Sequence, residues 1–244
     1  MIKKMKNKKI IGLIGGMGPF ASARFLQTML EKSCSNFGAK NGNDFPEIVL
    51  DSIPVPDFIS NTSRLPEAEA LLISRIKKLD KFGCKTVAMV CNTGHILFPK
   101  LSRTSNAKMI SLIKAVRSRV IELKLKRVGI LATKTTLNSN IYKQAFSRTG
   151  IKIINPDEEI INVCEGVIRK VIANENTKSS VSGLIAKTIS FAAKQKLDGI
   201  ILGCTELPLA FPKDKKFKFK VIDCLDVLSD SLLNDAFDGI EIKT

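Results

Sequence analysis

Short apolar runs alternate with longer amphipathic stretches along most of the chain. The short runs are rich in β-branched residues and predict buried strands, whereas the longer stretches have helical spacing of their apolar positions. We predict strands at 10–14, 47–52, 86–90, 127–131, 151–154, 199–202 and 219–222. We predict helices at 20–37, 66–82, 107–125, 138–148, 158–173, 179–196 and 225–237. Strands that alternate with helices indicate an α/β fold with parallel sheets and crossover helices.

The first and second halves of the chain resemble each other. The stretch KIIGLI at 9–14 is similar to KRVGIL at 126–131, and VAMVCNT at 87–93 is similar to GIILGCT at 199–205. In each half a predicted strand runs into a cysteine that a threonine follows closely. The pattern indicates an internal duplication. Two such halves, facing each other across a pseudo-twofold axis, would present both cysteines to one cleft.

Composition and charge exclude several classes of protein. The 244 residues are 44% hydrophobic and 25% charged, and no apolar run approaches the roughly 20 residues that cross a bilayer. Because glycines interrupt the apolar stretch after the basic start, we predict a first strand there and a cytoplasmic protein. The net charge is +16, but the lysines are spread along the chain, with modest clusters at 3–9 and 213–220. We therefore expect a solvated basic surface, with neither nucleic acid nor a membrane as partner.

The number and spacing of the cysteines predict reduced thiols instead of disulfides. Six cysteines are present without a CxxC pair, and His95 is the only histidine. These ligands are too sparse for a zinc site, so we predict no metal. Four of the six are expected to be small buried core residues, namely Cys34, Cys84, Cys164 and Cys224.

Cys91 and Cys204 differ from those four because each follows a predicted parallel strand, at the edge where open α/β sheets bind ligands. Asn92, Thr93 and Thr205 follow them and offer hydrogen-bond donors. A thiolate on one side of a carbon and a thiol on the other can remove a proton from one face and return one to the opposite face, which inverts the configuration. Without pyridoxal phosphate, such a site must stabilise the developing carbanion by hydrogen bonds in a place closed to water. No lysine is marked by its context as a Schiff-base former, so we expect no cofactor.

The glycine-rich loop GGMGP at 15–19 allows a different interpretation. Its glycines and Ala21 satisfy a loose dinucleotide-binding fingerprint, and Asp51 at the end of the second predicted strand would then bind a ribose. A lone fingerprint is weakly specific, and Pro19 fits it poorly. We therefore interpret the loop as a wall of the cleft, with Met17 facing the substrate. An NAD(P)-binding oxidoreductase stays open as an alternative.

His95 and Glu206 are assigned supporting roles. His95 lies four residues beyond Cys91, where it could cap a helix or hydrogen-bond beneath the site as structural support, or transfer a proton. Glu206 lies two residues beyond Cys204, where it could tune that thiol or cap the following helix. Both alternatives stay open for each residue.

Taken together, these motifs resemble the aspartate/glutamate racemase family of cofactor-independent amino-acid racemases. The similarity covers nearly the whole chain. It rests on IGLIGGMGP at 11–19, CNTGH at 91–95, LATKTT at 131–136 followed by Ile141-Tyr142, and GCTE at 203–206.

The resemblance implies two flavodoxin-like α/β domains, each with a parallel sheet flanked by helices, and commonly a homodimer. Because the last helix of such proteins usually returns to the first domain, residues 1–113 and 215–244 would form the first domain and 114–214 the second, with the active site between them. Cys91 and Cys204 would be the two bases. The residues that would line the substrate are Met17, Asn92, Thr93, Thr136 and Thr205.

The sequence departs from the family at the substrate's distal carboxylate. Many aspartate racemases of the family carry an arginine after a Pro-Asp pair that follows the second strand, but here Pro56-Asp57 is followed by Phe58. Arg64 lies a few residues on and could replace it. Members also carry a lysine in the helix region after the second strand of the second domain, where this chain has Arg169 and Lys170.

We therefore expect a racemase, independent of pyridoxal phosphate, that interconverts L- and D-aspartate or the enantiomers of glutamate. The related alternative is a two-cysteine isomerase or decarboxylase of small carboxylic acids on the same duplicated scaffold.

Overall fold

The computed structural model describes residues 8–58, 62–175, 178–212 and 214–237. The ends 1–7 and 238–244 of the predicted first domain, and the cluster lysines Lys3, Lys4, Lys6 and Lys213, lie outside the described residues. The strands are β1 (Ile11–Gly15), β2 (Ile48–Ser52), β3 (Thr86–Met89), β4 (Lys108–Ile110), β5 (Arg127–Leu131), β6 (Lys152–Ile154), β7 (Gly199–Leu202) and β8 (Lys220–Asp223). The helices are α1 (Pro19–Phe37), α2 (Leu65–Phe82), α3 (Phe98–Leu101), α4 (Leu112–Glu122), α5 (Lys134–Asn138), α6 (Ile141–Phe146), α7 (Glu158–Ile172), α8 (Lys178–Gln195), α9 (Leu207–Ala210) and α10 (Cys224–Ala236).

The strands form two parallel four-stranded sheets with the same order. The first sheet is β2-β1-β3-β4 and the second is β6-β5-β7-β8. The registers correspond as well, since Ile14 of β1 pairs with Met89 of β3 and Leu131 of β5 pairs with Leu202 of β7. The predicted α/β class, with two similar parallel sheets flanked by helices, is confirmed.

Three apolar clusters hold the layers together. The central cluster joins buried residues of both sheets to the inward faces of α1, α4, α6 and α10. The outer face of the first sheet is covered by α2, and that of the second by α7 and α8. Because strands of both sheets are buried on both faces, they read in the sequence as continuous apolar runs.

Two helix predictions are wrong in detail. The helix predicted at 107–125 is instead strand β4 followed by α4, because Ser111 has extended backbone and its side chain accepts a hydrogen bond from the N–H of Lys114 at the start of α4. The helix predicted at 138–148 is divided between α5 and α6, since Asn140 adopts a left-handed conformation at φ 57°. Neither change moves the strand ends that carry the predicted site.

Helix α10 packs back onto α1, α4 and strand β3 of the first sheet. It begins at an N-cap formed by Asp223, whose carboxylate accepts from the N–H groups of Leu225 and Asp226. Lys32 of α1 and Arg119 of α4 both bond to the carboxylate of Asp230 in α10. None of the helices within the described ranges is long and apolar enough to span a membrane.

Candidate active site

Cys91 and Cys204 occupy corresponding places in the two sheets. Cys91 lies two residues beyond the end of β3, and Cys204 lies two residues beyond the end of β7. Each of these strands is the third of its sheet along the chain. The residue before each cysteine extends the ladder to the neighbouring strand, with Val90 N–H donating to Ile14 O at 2.9 Å and Gly203 N–H donating to Leu131 O at 2.7 Å. The side chains are closed off from solvent, since the two cysteines expose 3% and 5% of their surface.

Buried threonines connect the loop after β3 to the start of α5. The Thr93 hydroxyl lies 2.8 Å from that of Thr136 and 3.3 Å from that of Thr133. Thr133 also caps α5 by accepting from the N–H of Thr136 at 3.2 Å. Thr93 follows β3 of the first sheet, whereas Thr133 and Thr136 follow β5 of the second. These hydroxyls therefore join the two halves next to Cys91. The sequence predicted Thr93 and Thr136 at the site, and the structure adds Thr133.

Asn92 is held by two side chains that the sequence did not place at the site. The Tyr142 hydroxyl donates to Asn92 Oδ1 at 2.6 Å, and Asn92 Nδ2 donates to the sulfur of Cys224 at 3.3 Å. Two signals could have indicated them. Tyr142 is the only tyrosine, and its hydroxyl needs a partner when it is buried. Cys224 directly follows strand β8, much as Cys91 and Cys204 follow their strands. The amide orientation of Asn92 is thereby fixed.

The other cysteines divide into buried and exposed. Cys84, Cys164 and Cys224 are buried as expected, although Cys224 also contacts Asn92. Cys34 is exposed, so its prediction as a core residue is wrong. It lies in the last turn of α1, on the side away from the buried positions of that helix.

His95 has both ring nitrogens bound to backbone. Nδ1 lies 2.6 Å from the carbonyl oxygen of Cys91, and Nε2 accepts from the N–H of Leu112 at 3.0 Å. Because a carbonyl can only accept, Nδ1 carries the proton. Burial lowers the pKa of His95 to about 4, so the ring is neutral at pH 7. This geometry supports a positioning role beneath Cys91 rather than proton transfer.

The Cys91 sulfur accepts a hydrogen bond from the N–H of Gly94 at 3.3 Å. Burial raises the pKa of this thiol to about 12, the charge of Glu206 adds to the rise, and the Gly94 N–H opposes it. A thiol in this closed state therefore stays protonated unless a positive charge enters the site.

The Cys204 thiol donates to Glu206 Oε2 at 2.9 Å, and the Thr205 hydroxyl donates to the same oxygen at 3.0 Å. Burial raises the pKa of Cys204 well above its usual range, and the charges of Glu206 and Cys91 raise it further. The pKa of Glu206 is raised as well, chiefly by burial. Its other oxygen, Oε1, has no hydrogen-bond partner among the described residues.

The glycine-rich loop of the first half closes onto that carboxylate. A Cβ atom at Gly18, where φ is 149°, would lie 1.6 Å from Glu206 Oε1. At Gly16, where φ is 88°, a Cβ atom would lie 2.2 Å from the carbonyl oxygen of Ile53. Met17 between them is 8% exposed and belongs to the same apolar cluster as Cys91. Because a carboxylate faces the loop, the geometry opposes a dinucleotide pyrophosphate there.

The residues considered for the distal carboxylate lie in different surroundings. Phe58 is buried in the apolar cluster with Met17 and Cys91. Arg64 is exposed and bonded to Glu67. Arg169 of α7 reaches Asp57 at 3.2 Å.

Lys170 and Asp51 also have partners away from the two thiols. Lys170 donates to the Ser180 hydroxyl at 2.6 Å. Asp51, considered for a ribose, lies 3.7 Å from Arg75. Within the described part of the chain, no three His, Cys, Asp or Glu side chains are grouped as a metal ion would require.

The arrangement offers two buried thiols at equivalent sheet ends, buried hydroxyl and amide groups in the loops that follow the strands, and a carboxylate beside one thiol. Such a set can bind a small polar molecule away from water and exchange protons with it from two sides.

Comparison with known proteins gives consistent matches. The family model for Asp/Glu/hydantoin racemases matches residues 14–232. The broad specificity amino-acid racemase RacX of Bacillus subtilis is 24% identical over 81% of this chain and 86% of its own. A glutamate racemase of Buchnera aphidicola is 30% identical over 78% of this chain and 74% of its own. The aspartate racemase of Picrophilus torridus superposes with a TM-score of 0.80 at 30% identity, over 96% of both chains.

Proposed function

The chain belongs to the Asp/Glu/hydantoin racemase family and is thus an isomerase, and we propose that it interconverts L- and D-aspartate, or the enantiomers of glutamate, with Cys91 and Cys204 as the two acid–base groups. In each direction one cysteine, as thiolate, takes the proton from the α-carbon. The other cysteine, as thiol, then gives a proton to the opposite face of the carbanion, so the two exchange protonation states and the configuration inverts.

The observation that carries this proposal is the equivalent placement of two buried thiols at matching sheet ends. A thiolate at Cys91 would raise the pKa of Cys204 further, which is consistent with two thiols that share one site. The carbanion needs hydrogen bonds to the substrate's α-carboxylate. Asn92, Thr93 and Thr136 are the donors we assign to it, and the low exposure of the site supports exclusion of water.

The two thiols are not in the same state in this structure. Cys204 donates its proton to Glu206, whereas the Cys91 sulfur accepts from the backbone of Gly94. An N–H donor stabilises a thiolate, and a carboxylate partner stabilises a thiol. We therefore assign Cys91 as the cysteine that loses its proton more readily when a substrate binds, and Cys204 as the one that keeps its proton.

Arg169 is our choice for the distal carboxylate of an acidic substrate. Its guanidinium already binds the carboxylate of Asp57, next to Phe58, which is buried in the apolar cluster of Met17 and Cys91. A substrate carboxylate can take the same geometry in exchange with Asp57. Arg64 is less suitable because Glu67 holds it through two nitrogens on an exposed turn.

We further propose that the protein acts as a homodimer in the cytoplasm, without pyridoxal phosphate. All six cysteines are free, which suits a reducing compartment. The dimer rests on the family resemblance, and sedimentation of the purified protein measures it.

Proton exchange in D₂O tests the reaction. Wild-type protein should incorporate deuterium at the α-carbon of aspartate or glutamate as it racemises them, as measured by NMR across a panel of L- and D-amino acids. Cys91→Ser and Cys204→Ser should each lower the racemisation rate by at least about a hundredfold, because a hydroxyl is a far weaker acid than a thiol. Cys34→Ser, at the exposed cysteine, is the matched control and should retain the wild-type rate.

Wild-type rates in both active-site serine variants would refute the two-thiol mechanism. Exchange with neutral amino acids alone would refute the acidic substrate and leave the mechanism in place.

A further inference from the structure

Glu206 carries a buried carboxylate oxygen whose partner is missing from the described chain. The residue is 2% exposed, and Oε2 already accepts from Cys204 and Thr205. Oε1 makes no hydrogen bond among the described residues. A buried polar atom without a partner costs about 1–3 kcal/mol, more if the group is charged, so such an atom in a site indicates a ligand group that completes it.

No cation of the protein is available to this oxygen. Among the described residues, none of the buried polar or charged side chains is a lysine or arginine. The other buried groups near the site are hydroxyls, an amide, thiols and the ring of His95, which is neutral at pH 7. A cation that matches this carboxylate in its ionised form must therefore come with the substrate.

The position of Oε1 fits one particular group. The carboxylate sits 2.9 Å from the Cys204 sulfur through Oε2, and Oε1 faces the loop at Gly18, beside Met17. A carbon that exchanges a proton with Cys204 must lie close to that sulfur. The amino nitrogen is one bond from the α-carbon, which brings it within reach of the second carboxylate oxygen.

We propose that Glu206 binds the α-ammonium group of the amino-acid substrate through Oε1, while Oε2 holds the thiol of Cys204. This inference rests on the proposed function of the same site and adds the group that recognises an amino acid as such. An α-ammonium donates up to three hydrogen bonds and neutralises the carboxylate.

The same contact explains how the thiols become reactive. The charge of Glu206 is one of the causes that raise the pKa of both Cys91 and Cys204. A bound ammonium offsets that charge and lies near both sulfurs, so it favours a thiolate in the loaded site. A substrate without an amino group would leave both thiols protonated.

Paired ligands that differ only in this group test the assignment. Calorimetry should show that wild-type protein binds aspartate about ten- to a hundredfold more tightly than 2-hydroxysuccinate, and glutamate likewise over 2-hydroxyglutarate, as expected for a charged hydrogen bond. Glu206→Gln should reduce this ratio to within about threefold, because the neutral amide keeps the shape but loses the charge. Glu159→Gln, at an exposed glutamate of α7, is the matched control and should keep the wild-type ratio.

A second background separates substrate binding from tuning of the thiol. In Cys204→Ser, a hydroxyl replaces the thiol, so an effect of Glu206 that acts only through the thiol disappears. We expect Cys204→Ser to keep the preference for the amino acid and Cys204→Ser/Glu206→Gln to lose it. Equal ratios in these two variants overturn the proposal.

The outcomes also distinguish this inference from the proposed function. Wild-type protein that racemises amino acids, yet binds the hydroxy acids as tightly, disproves the role of Glu206 and leaves the racemase standing. Because that comparison needs no variant, it decides the matter even where Glu206→Gln fails to fold in a thermal melt. Wild-type protein that exchanges no amino acid in the panel disproves both.

Discussion

His95 illustrates at the residue scale how a buried titratable group can serve geometry instead of proton transfer. Its neutral ring bridges the carbonyl of Cys91 and the first N–H of α4. A charged ring could not accept from Leu112, and it would lie in an apolar surrounding. The loop that carries Cys91 is therefore tied to α4 by an uncharged imidazole.

This arrangement predicts a pH-dependent stability. The pKa of His95 is about 4 in the fold against 6.5 in the unfolded chain, so the unfolded state binds the extra proton between these values. The stabilisation is fully present above pH 6.5 and is lost as the pH falls through about 4, amounting to about 3 kcal/mol. In urea unfolding at pH 4.5 and 8, His95→Gln should be most destabilised relative to wild type at pH 8 and much less at pH 4.5. A pH-independent difference would show that the fold does not lower the pKa of His95.

The sequence predicted some of the site residues more readily than others. Cys91, Cys204 and their polar neighbours follow strands, and the strand pattern is visible in the apolar runs. Tyr142 and Cys224 could not be assigned because their role depends on where the side chain of Asn92 points, which the packing of two halves decides. The unpartnered oxygen of Glu206 is likewise a property of the assembled site.

At the scale of elements, one carboxylate fixes the terminal helix to the first sheet. Asp235 of α10 is buried and accepts from the hydroxyl of Thr86 in β3 and from the ammonium groups of Lys108 and Lys9. Burial alone would raise its pKa, but these bonds outweigh burial and lower it. The ionised side chain thus holds α10 against β3 and β4.

Asp235→Asn should destabilise the protein by about 1–3 kcal/mol at pH 7, because the charge that holds two lysines is lost while the Thr86 contact is weakened. Chemical denaturation measures the difference. Glu122→Gln, which breaks an exposed pair with Arg119, should cost less than about 0.5 kcal/mol. Equal losses of unfolding free energy in the two variants would mean that the burial of Asp235 does not strengthen its bonds to Lys108 and Lys9.

The elements were predicted best where apolar runs are long. Strands β5 and β7 were predicted with their observed bounds. Strand β4 was missed because it has three residues and lies at a sheet edge, where the pattern of Lys108–Ile110 also suits a helix. The N-cap at Ser111 was the local signal that separates β4 from α4.

At the scale of the whole molecule, side-chain contacts join the two halves beside the buried candidate site. The contacts Thr93–Thr136, Asn92–Tyr142 and Asp57–Arg169 each join the first half to the second. Because the thiols are almost fully buried, we expect substrate entry to require that the two halves separate. The duplication was visible in the sequence, but this closure was not, because it depends on how the halves are oriented.

Thiol labelling should report that opening. With iodoacetamide and mass spectrometry, Cys34 should react first because it is exposed. Cys91 and Cys204 should follow at least about tenfold more slowly, through separation of the halves, and Cys164, fully buried between α7 and α8, should react last. Aspartate or glutamate should slow the two site cysteines and leave Cys34 unchanged. Parallel labelling of Cys91 and Cys164 would mean that the site opens only by global unfolding.

The return of α10 to the first sheet also sets the order in which a ribosome can complete the two halves. The second sheet has all its strands as soon as β8 has been synthesised. In contrast, α1 and α4 of the central cluster pack against α10, which is translated after β8. The half that is made first is therefore finished last. Until then its apolar surface is open to misassembly or to a chaperone, so nascent chains stalled before residue 224 should be the ones that chaperones retain.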